Sequence, residues 1–454
     1  MRRLALPRLD MCLTLRLGVP TVGGHATART GEGQPWLIRL YGKLSIEGSV
    51  ATGHERLGSV DLIRATAALS VLLAHAYSFP TWSDPSTITR PRYLLTTTLS
   101  TGVYLFFAVS GYLIAGPYLR ALVSGRRPPS RGGYALRRSV RILPAWWVAL
   151  IAVILLTDPV IELWQLFLHV TLTFGPDLSE TQRYLSIGWT LGVEALFYAF
   201  VPLATALAIR VGGRRAHGVP AVLVGVAGLW VASGAWSVAA AVVDPLEPHP
   251  IGFLHGTVHT GLGLFGGLFH FAPGMLVFVL LLDRGALPSR VERAMRWAER
   301  HAFSLLALAG VIWLAGVAES HLGQSELRSV LLGEVNAIAC GMVLLAVLTG
   351  APRLRRLTRV AAPLGLVSYG IYLWHGVIID WLAHHQLTLV NTDFGPMGFA
   401  ARSAALLVPA VALGVASWIA IERPLLRRTA GWEKRRTSTT GDDAVPAEPA
   451  LPLG

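Results

Sequence analysis

The sequence predicts an all-α integral membrane protein with ten transmembrane helices. Hydrophobic residues occupy 53% of its 454 positions and charged residues only 14%, whereas roughly 25% of an ordinary soluble domain is charged. Apolar stretches of about twenty residues, long enough to cross a ~30 Å hydrocarbon core as helices, recur along most of the chain. Arginines are concentrated in alternate connections between these stretches. A bundle of membrane-spanning helices accounts for all three observations.

The ten predicted spans are runs of mostly apolar residues. In chain order they are Leu57–Phe79, Thr97–Leu119, Ile142–Leu156, Ser186–Ile209, Val219–Val243, Thr260–Leu282, Ala302–Ala318, Ser329–Leu348, Ala361–Leu382 and Ala401–Ile421.

The chain divides into three parts, of which residues 57–426 form the predicted ten-helix membrane domain. Residues 1–56 mix arginine, glycine and threonine without a long apolar core, so they are not a secretory signal. They are either a disordered leader or the translation of a segment upstream of the true start codon. Residues 427–454 are rich in Arg, Thr, Pro, Glu and Ala, and we expect them to form a disordered cytoplasmic tail.

The positions of the basic residues predict the orientation in the membrane. There are seven arginines in the connection between spans 2 and 3, three between spans 4 and 5, five between spans 6 and 7, and four between spans 8 and 9. The opposite connections contain only Arg90, Arg92, Arg183 and Arg328, with Arg402 at the border of the last span. By the positive-inside rule, this is a multi-pass protein of the cell membrane with both termini in the cytoplasm. Topology and contact with anionic lipid explain the net charge of +13, so we expect no nucleic-acid partner.

One apolar segment, Val160–Phe174, is only about fifteen residues long. It is too short to cross as a helix, and we predict that it lies at the membrane interface or re-enters from one side. A full crossing here would invert every later connection and move most of the following arginines outside, against the positive-inside rule.

The first span contains three ionisable residues, Asp61, Arg64 and His75. Such side chains are costly inside hydrocarbon, so each needs a reason. Arg64 and His75 are eleven positions apart, which in an α-helix places them on one face and about 16 Å apart, Arg64 nearer the cytoplasm. They lie either at the two ends of a polar track that faces the interior of the bundle or have structural roles only. In the simpler case, Arg64 extends its charged group to the membrane surface and His75 is a buried histidine with its hydrogen bonds made inside the protein.

Two further ionisable residues, Glu194 in the fourth span and His375 in the ninth, are predicted to lie at the depth of His75. A carboxylate beside an imidazole fixes its tautomer and raises its basicity, which suits a general base. The neighbouring aromatic residue Tyr372 is, by itself, typical of packing or of the membrane interface.

The basic connection before the third span ends with Arg138 and Arg141. If the third helix begins before the membrane, these side chains project from adjacent turns. The planar guanidinium group suits phosphate recognition, so the pair could bind a pyrophosphate-bearing molecule arriving from the cytoplasm.

These residues fall within six sequence blocks that occur in a known order. The blocks are LGSVDLIRATAALSVLLAHAYSF with Arg64 and His75, TGVYLFFAVSGYLIAG with Ser110, the Arg138–Arg141 pair, WTLGVEALFYAFVP with Glu194, SYGIYLWH with Tyr372 and His375, and the closing ERPLLRR. In this order they resemble the acyltransferase 3 family, membrane-bound enzymes that O-acylate sugars and related metabolites. The resemblance covers about residues 57–426, and it departs from the family pattern at Thr190, where serine is usual.

The resemblance implies an acyltransferase 3 type bundle and a transferase that moves an acyl group, acetyl in the simplest case, from acyl-CoA to a hydroxyl. The expected acceptor is a glycan, a glycolipid or a macrolide-like glycosylated metabolite, and the lipid bilayer is the other partner. We expect no metal and no tightly bound cofactor. The cysteines Cys12 and Cys340 match no metal or disulfide pattern.

The resemblance also implies residue roles. His75 would act as the general base for the acceptor hydroxyl or as a covalent relay of the acyl group, and we favour the base. Glu194 would be catalytic with it, orienting His75 or binding the acceptor. The remaining site residues are those that would bind the CoA phosphates, Arg64, Arg138 and Arg141, and those that would line the site, Ser110, Tyr372 and His375.

Two other functions fit parts of the sequence. A secondary transporter of a small polar solute also has charges inside the membrane and helices interrupted by glycine and proline, although no inverted repeat is found here. A sensor or assembly scaffold has no use for the combination of His75, Glu194 and His375. Release of CoA from a donor would distinguish the enzyme from both.

Overall fold

The computed structural model describes residues 54–78, 96, 98–173, 184–243, 263–319, 326–350, 352–385, 387 and 396–430, and all regular structure within these ranges is helical. The α-helices are α1 (His54–Ser78), α2 (Gly102–Ser124), α3 (Arg131–Thr157), α4 (Leu163–Thr171), α5 (Gly188–Gly212), α6 (Val219–Val243), α7 (Gly263–Leu282), α8 (Ser289–Arg300), α9 (Ala302–Glu319), α10 (Glu326–Thr349), α11 (Pro352–Leu366), α12 (Ser368–His384) and α13 (Pro396–Ser417). The turn Trp418–Glu422 after α13 is π-helical, and α-helix resumes to Ala430.

Each of the ten predicted spans coincides with a helix or with a bent pair of helices. Among the described residues, six helical stretches are long and apolar enough to cross a membrane, or eight if each of two bent pairs is one span. Two shorter apolar helices, Gly267–Leu282 and Gly333–Thr349, occupy the sixth and eighth positions. The all-α membrane class is confirmed, and the count of ten stays a prediction.

Large apolar side chains cover the outside of the bundle. Leu155, Val211 and Val224 are 77%, 79% and 72% exposed. Such apolar surface would be costly in water, whereas it matches the hydrocarbon of a bilayer. The ionisable groups of the site, by contrast, lie inside the bundle.

The short segment between the third and fourth spans is helix α4, and its nine residues are too few to cross a membrane. The length agrees with the prediction that this segment does not cross, and its location at the interface or as a re-entrant segment stays a prediction. The indole nitrogens of Trp146 and Trp147 donate hydrogen bonds to the carbonyls of His169 and Val170, at 2.7 and 2.8 Å. These bonds attach α4 to the side of α3.

The ninth predicted span, Ala361–Leu382, corresponds to a bent pair of helices. The axis bends by 62° between α11 and α12, at Val367. Pro363 lies inside α11, where it lacks a backbone donor and weakens the helix just before the bend. The bend separates the basic helix α11 from the helix that presents Tyr372 and His375.

Close approach of backbones sets the packing of α2 against α7. A Cβ atom added at Gly111 would overlap the carbonyl oxygen of Phe271, and one added at Gly274 would overlap that of Ala108. Small residues allow membrane helices to pack at this distance, where van der Waals contact replaces the hydrophobic effect. The contact fixes the rotation of α2 and hence the direction in which Ser110 points.

Contacts along neighbouring helices establish their relative directions. Helices α2 and α7 are parallel, because Tyr104 contacts His270 and Tyr112, further along, contacts Phe278. Helix α1 is parallel to α11, because Gly58 contacts Thr358 and Asp61, further along, contacts Gly365. Helix α5 is antiparallel to α12, because Ser186 contacts Asp380 whereas Thr190, further along, contacts the earlier residue Tyr372.

The terminal parts predicted to be disordered lie almost entirely outside the described residues. Helix α1 begins at His54, and the final helical segment extends to Ala430. The outer residues of the leader and the tail, 1–53 and 431–454, are not described.

Candidate functional site

One cavity is lined by six of the eight site residues that the sequence predicts. Its volume is about 90 Å³, enough for several water molecules or a thin part of a substrate. The predicted residues that line it are Arg64, Ser110, Arg138, Arg141, Glu194 and Tyr372. The other two, His75 and His375, contact each other next to this cavity.

Three arginines from two helices line the cavity. Helix α3 begins at Arg131, before the predicted membrane segment, so that Arg138 and Arg141 lie about one turn apart on it. Arg64 and Arg141 are only 7% and 6% exposed. The Nη1 nitrogen of Arg64 is buried and has no hydrogen-bond partner among the described residues. A buried guanidinium with an unused donor is suited to bind an anion that enters the cavity.

Arg138 is held by a different set of contacts. Its guanidinium carbon lies 5.8 Å from the ring centroid of Tyr134 and 5.6 Å from that of Tyr198. Its Nη2 atom donates to the carbonyl of Leu113 at 3.5 Å. Two aromatic faces and a carbonyl therefore orient this arginine at the cavity wall.

Glu194 is held by hydrogen bonds from two neighbouring side chains. The hydroxyls of Ser110 and Tyr198 both donate to its Oε1 atom, each at 2.9 Å. Ser110 comes from α2, and Tyr198 lies four residues after Glu194 on α5. The carboxylate is thus fixed beside the arginines, and these hydrogen bonds differ from the Glu194–His75 contact that the sequence suggested.

The two histidines form a pair. The Nδ1 atom of His75 lies 3.0 Å from Nε2 of His375, and the ring centroids are 5.1 Å apart. One of these nitrogens must carry the proton of the hydrogen bond, so the contact fixes a matched set of tautomers. His375 is completely buried, whereas His75 is partly accessible.

Tyr372 lies between the histidine pair and the cavity. Its ring centroid is 5.3 Å from that of His375, and its hydroxyl is 2.8 Å from the hydroxyl of Thr190. Thr190 therefore makes a hydroxyl contact at the position where the family pattern has serine. The arrangement combines a cavity wall with three arginines, a hydrogen-bonded carboxylate and an imidazole pair within one part of the bundle.

Sequence reasoning did not assign a role to Tyr198 or to Glu422. Tyr198 lies four residues after Glu194, a spacing that places both on one helix face and could have signalled their hydrogen bond. Glu422 opens the closing ERPLLRR block, and its Oε2 atom lies 4.0 Å from Nη1 of Arg141. No spacing in the sequence could connect residues 281 positions apart.

The described residues contain no group of three or more His, Cys, Asp or Glu side chains placed to hold a metal ion. The groups present are suited to bind an anion and to transfer a proton.

Comparison with known proteins identifies the family. The family model for the acyltransferase domain of the acyltransferase 3 type matches residues 57–421. Nodulation protein 10 of Rhizobium leguminosarum bv. viciae is 26% identical over 419 residues, which cover 86% of this chain and 98% of that protein. The exopolysaccharide production protein ExoZ of Rhizobium meliloti (strain 1021) is 25% identical over 349 residues, or 72% of this chain and 89% of ExoZ.

A third relative is ORF330 of Acidianus two-tailed virus, whose name carries the word acetyltransferase. It is 24% identical over 318 residues, or 69% of this chain and 80% of that protein. No solved structure matches the chain. Since the family model covers most of the sequence, the chain belongs to the acyltransferase 3 family and is a transferase enzyme.

Proposed function

We propose that this protein is a membrane-bound O-acyltransferase that transfers an acyl group, in the first instance acetyl, from cytoplasmic acyl-CoA to a hydroxyl of a carbohydrate-containing acceptor. The observation that carries the proposal is the convergence of Arg64, Arg138 and Arg141 on one cavity beside the His75–His375 pair. This combination provides an anion-binding entrance and a proton acceptor within one helical bundle.

The three arginines would bind the phosphates of the donor. Arg64 and His75 are eleven residues apart on α1, which corresponds to about 16 Å along the helix axis. A phosphate held at Arg64 would therefore allow the thin pantetheine arm to carry its thioester towards His75. The proposed reaction uses no tightly bound cofactor or metal.

In the proposed reaction, His75 accepts the proton of the acceptor hydroxyl. The hydroxyl oxygen attacks the thioester carbonyl, the carbon–sulfur bond breaks, and the departing CoA thiolate takes the proton from His75. His375 would hold the ring of His75. The alternative is a relay in which His75 itself carries the acyl group before the acceptor attacks. The hydrogen bonds of Glu194 with Ser110 and Tyr198 favour acceptor binding over the orientation of His75 as the role of Glu194.

The choice of acceptor rests on the relatives. The name of ExoZ refers to exopolysaccharide production, which favours an envelope glycan over a glycolipid or a macrolide-like metabolite. The name of ORF330 favours acetyl as the acyl group. Mass spectrometry of envelope glycans and small metabolites from cells with and without the protein would identify the acceptor by a mass increase of one acyl group.

We further propose that the bundle has ten spans with both termini in the cytoplasm. Ten alternating spans would make α2, α5 and α7 parallel to one another and antiparallel to α1, α11 and α12. The contacts of α2 with α7, of α1 with α11 and of α5 with α12 agree with these directions. The arginine-rich connections then all face the cytoplasm, where the donor is made.

The decisive experiment uses the full chain in proteoliposomes supplied with acetyl-CoA. We expect saturable acetyl-CoA binding and, once an acceptor extract is added, release of free CoA with acylation of that extract. A chain that binds no acetyl-CoA but accumulates a solute inside the vesicles would be a transporter instead. Binding can be measured before the acceptor is known, so the donor assignment does not depend on the acceptor.

A further inference from the structure

The turn Trp418–Glu422, which follows α13, has π-helical hydrogen bonding. Such turns are rare inside α-helices and occur frequently at functional sites. Pro424 follows two residues later and has no backbone N–H to donate to the preceding turn, which gives a local reason for the irregular geometry. This turn contains the glutamate of the closing ERPLLRR block.

Two side chains of this turn contact the guanidinium group of Arg141. The guanidinium carbon lies 5.7 Å from the ring centroid of Trp418, and Nη1 lies 4.0 Å from Oε2 of Glu422. The hydroxyl of Ser417 donates to the other carboxylate oxygen of Glu422, at 3.2 Å. Trp418 is fully buried and Glu422 is only 1% exposed, so these contacts are shielded from water.

The contacts of Arg141 are distinct from those of Arg138. Arg138 rests on the rings of Tyr134 and Tyr198 and reaches the Leu113 carbonyl, which are contributed by α2, α3 and α5. Arg141 instead rests on residues that follow α13. These two arginines of one helix are thus oriented by separate sets of residues, so a substitution can remove the contacts of one and leave those of the other.

We infer that Trp418 and Glu422 are positioning residues that hold Arg141 ready for the phosphates of the donor. The inference rests on the proposed function, because it assigns the role of Arg141 to donor binding. An arginine side chain loses much rotational freedom when it binds a phosphate. A buried carboxylate and an indole face that already restrict it reduce that loss and keep the guanidinium at the cavity wall.

The test measures acetyl-CoA affinity and turnover for Glu422→Gln and Trp418→Leu in proteoliposomes. We expect the apparent donor affinity to fall about threefold to tenfold, which lies in the lower part of the range of coupling between neighbouring side chains. Turnover at saturating donor should change by less than about twofold, because neither residue touches the reacting atoms. Trp418→Phe should restore part of the affinity, because it keeps an aromatic face.

Double variants identify the arginine through which Glu422 acts. In an Arg141→Ala background, Glu422→Gln should have almost no further effect on donor affinity, whereas in an Arg138→Ala background its effect should multiply. Asp380→Asn is the matched control, because Asp380 accepts a hydrogen bond from the Ser186 backbone and does not line the cavity. This control should leave donor affinity unchanged.

Three outcomes would overturn the inference. They are unchanged donor affinity in both Glu422→Gln and Trp418→Leu, tighter donor binding in Glu422→Gln, and an effect of Glu422→Gln that multiplies equally in both arginine backgrounds. Tighter binding would mean that the carboxylate competes with phosphate for Arg141.

Titration with inorganic pyrophosphate separates this inference from the proposed function. The wild-type chain should bind pyrophosphate, and Glu422→Gln should weaken that binding by the same factor as for the donor. If pyrophosphate binds in this way but no CoA is ever released, the role of the turn stands and acyl transfer fails. If the wild-type chain does not bind pyrophosphate, the inference itself fails.

Discussion

The nitrogens of His75 and His375 lie 3.0 Å apart although the residues are separated by 300 positions in the chain. This contact changes the partner expected for the proposed base. The sequence suggested a carboxylate beside His75, as in many general-base pairs. A second imidazole can fix the tautomer of the first, but it contributes no negative charge. The proposed base therefore relies on orientation more than on electrostatic activation.

His75→Ala should abolish acyl transfer while leaving membrane insertion intact, because the base or relay is lost from a partly open position. We expect less than about a tenth of the wild-type rate, since general-base catalysis typically contributes at least 10²-fold. His375→Ala should be the milder lesion. The measurement is CoA release by purified variants in proteoliposomes.

The matched control is His385→Ala, which removes an exposed histidine at the end of α12. It should retain the wild-type rate. A His75→Ala variant that keeps more than a tenth of the activity would rule out both roles proposed for this histidine.

Arg138→Ala and Arg141→Ala should each weaken the donor interaction about tenfold to a hundredfold, which corresponds to a charge-assisted hydrogen bond of roughly 1.5–3 kcal/mol. The rate at saturating donor should change less, since the phosphates lie far from the bond being made. Lysine should restore only part of the affinity, because it keeps the charge and loses the planar fork. Donor titration at fixed ionic strength measures these effects.

Arg127→Ala is the control for this series, because Arg127 is exposed in the same basic connection. Its donor affinity should equal that of the wild type. If Arg138→Ala and Arg141→Ala behave like Arg127→Ala, these arginines determine topology alone and the donor enters elsewhere.

At the scale of helices, the site depends on how α2 and α7 pack. Gly274 of α7 faces the backbone of α2 at Ala108, two residues before Ser110. A methyl group here would push α2 away and displace Ser110 from Glu194. The bend between α11 and α12 has a comparable effect, because it sets the direction of the helix that carries His375.

Gly274→Ala should therefore destabilise the bundle by about 1–3 kcal/mol, the typical cost of overpacking. Gly228→Ala in α6 is the control, since a Cβ atom there would meet nothing within 4 Å. It should be neutral or stabilising by up to about 1 kcal/mol, because alanine is the better helix former. Thermal unfolding in detergent compares the two variants, and equal melting temperatures would contradict the close packing of α2 and α7.

At the scale of the whole molecule, the orientation in the membrane can be tested without any substrate. Cysteines introduced at Gly256 and Arg127 should label from opposite faces of the membrane. Gly256→Cys should react in intact cells and Arg127→Cys only after permeabilisation, because the arginine-rich connections are expected inside.

The background for this experiment replaces Cys12 and Cys340, the two native cysteines. The buried Cys340 also serves as a control. A variant in which Cys340 is the single remaining cysteine should label only after denaturation. Reaction of both introduced cysteines in intact cells would contradict the ten-span topology.

Hydropathy and charge in the sequence were enough to predict the helical class, the positions of the apolar helices and the short segment α4. These properties follow from the match between each stretch of chain and its solvent, so they can be read locally. The family blocks likewise identified the residues that line the cavity, including Arg64, Arg138 and Glu194.

The tertiary structure alone decided which side chains meet. The pairing of His75 with His375, the hydrogen bonds of Glu194 with Ser110 and Tyr198, and the contact of Glu422 with Arg141 join distant parts of the chain. They depend on helix rotations set by close backbone contacts at glycines such as Gly111 and on the bend at Val367. In a membrane, lateral packing is governed by van der Waals fit between helices, and a hydropathy pattern along one chain does not encode that fit.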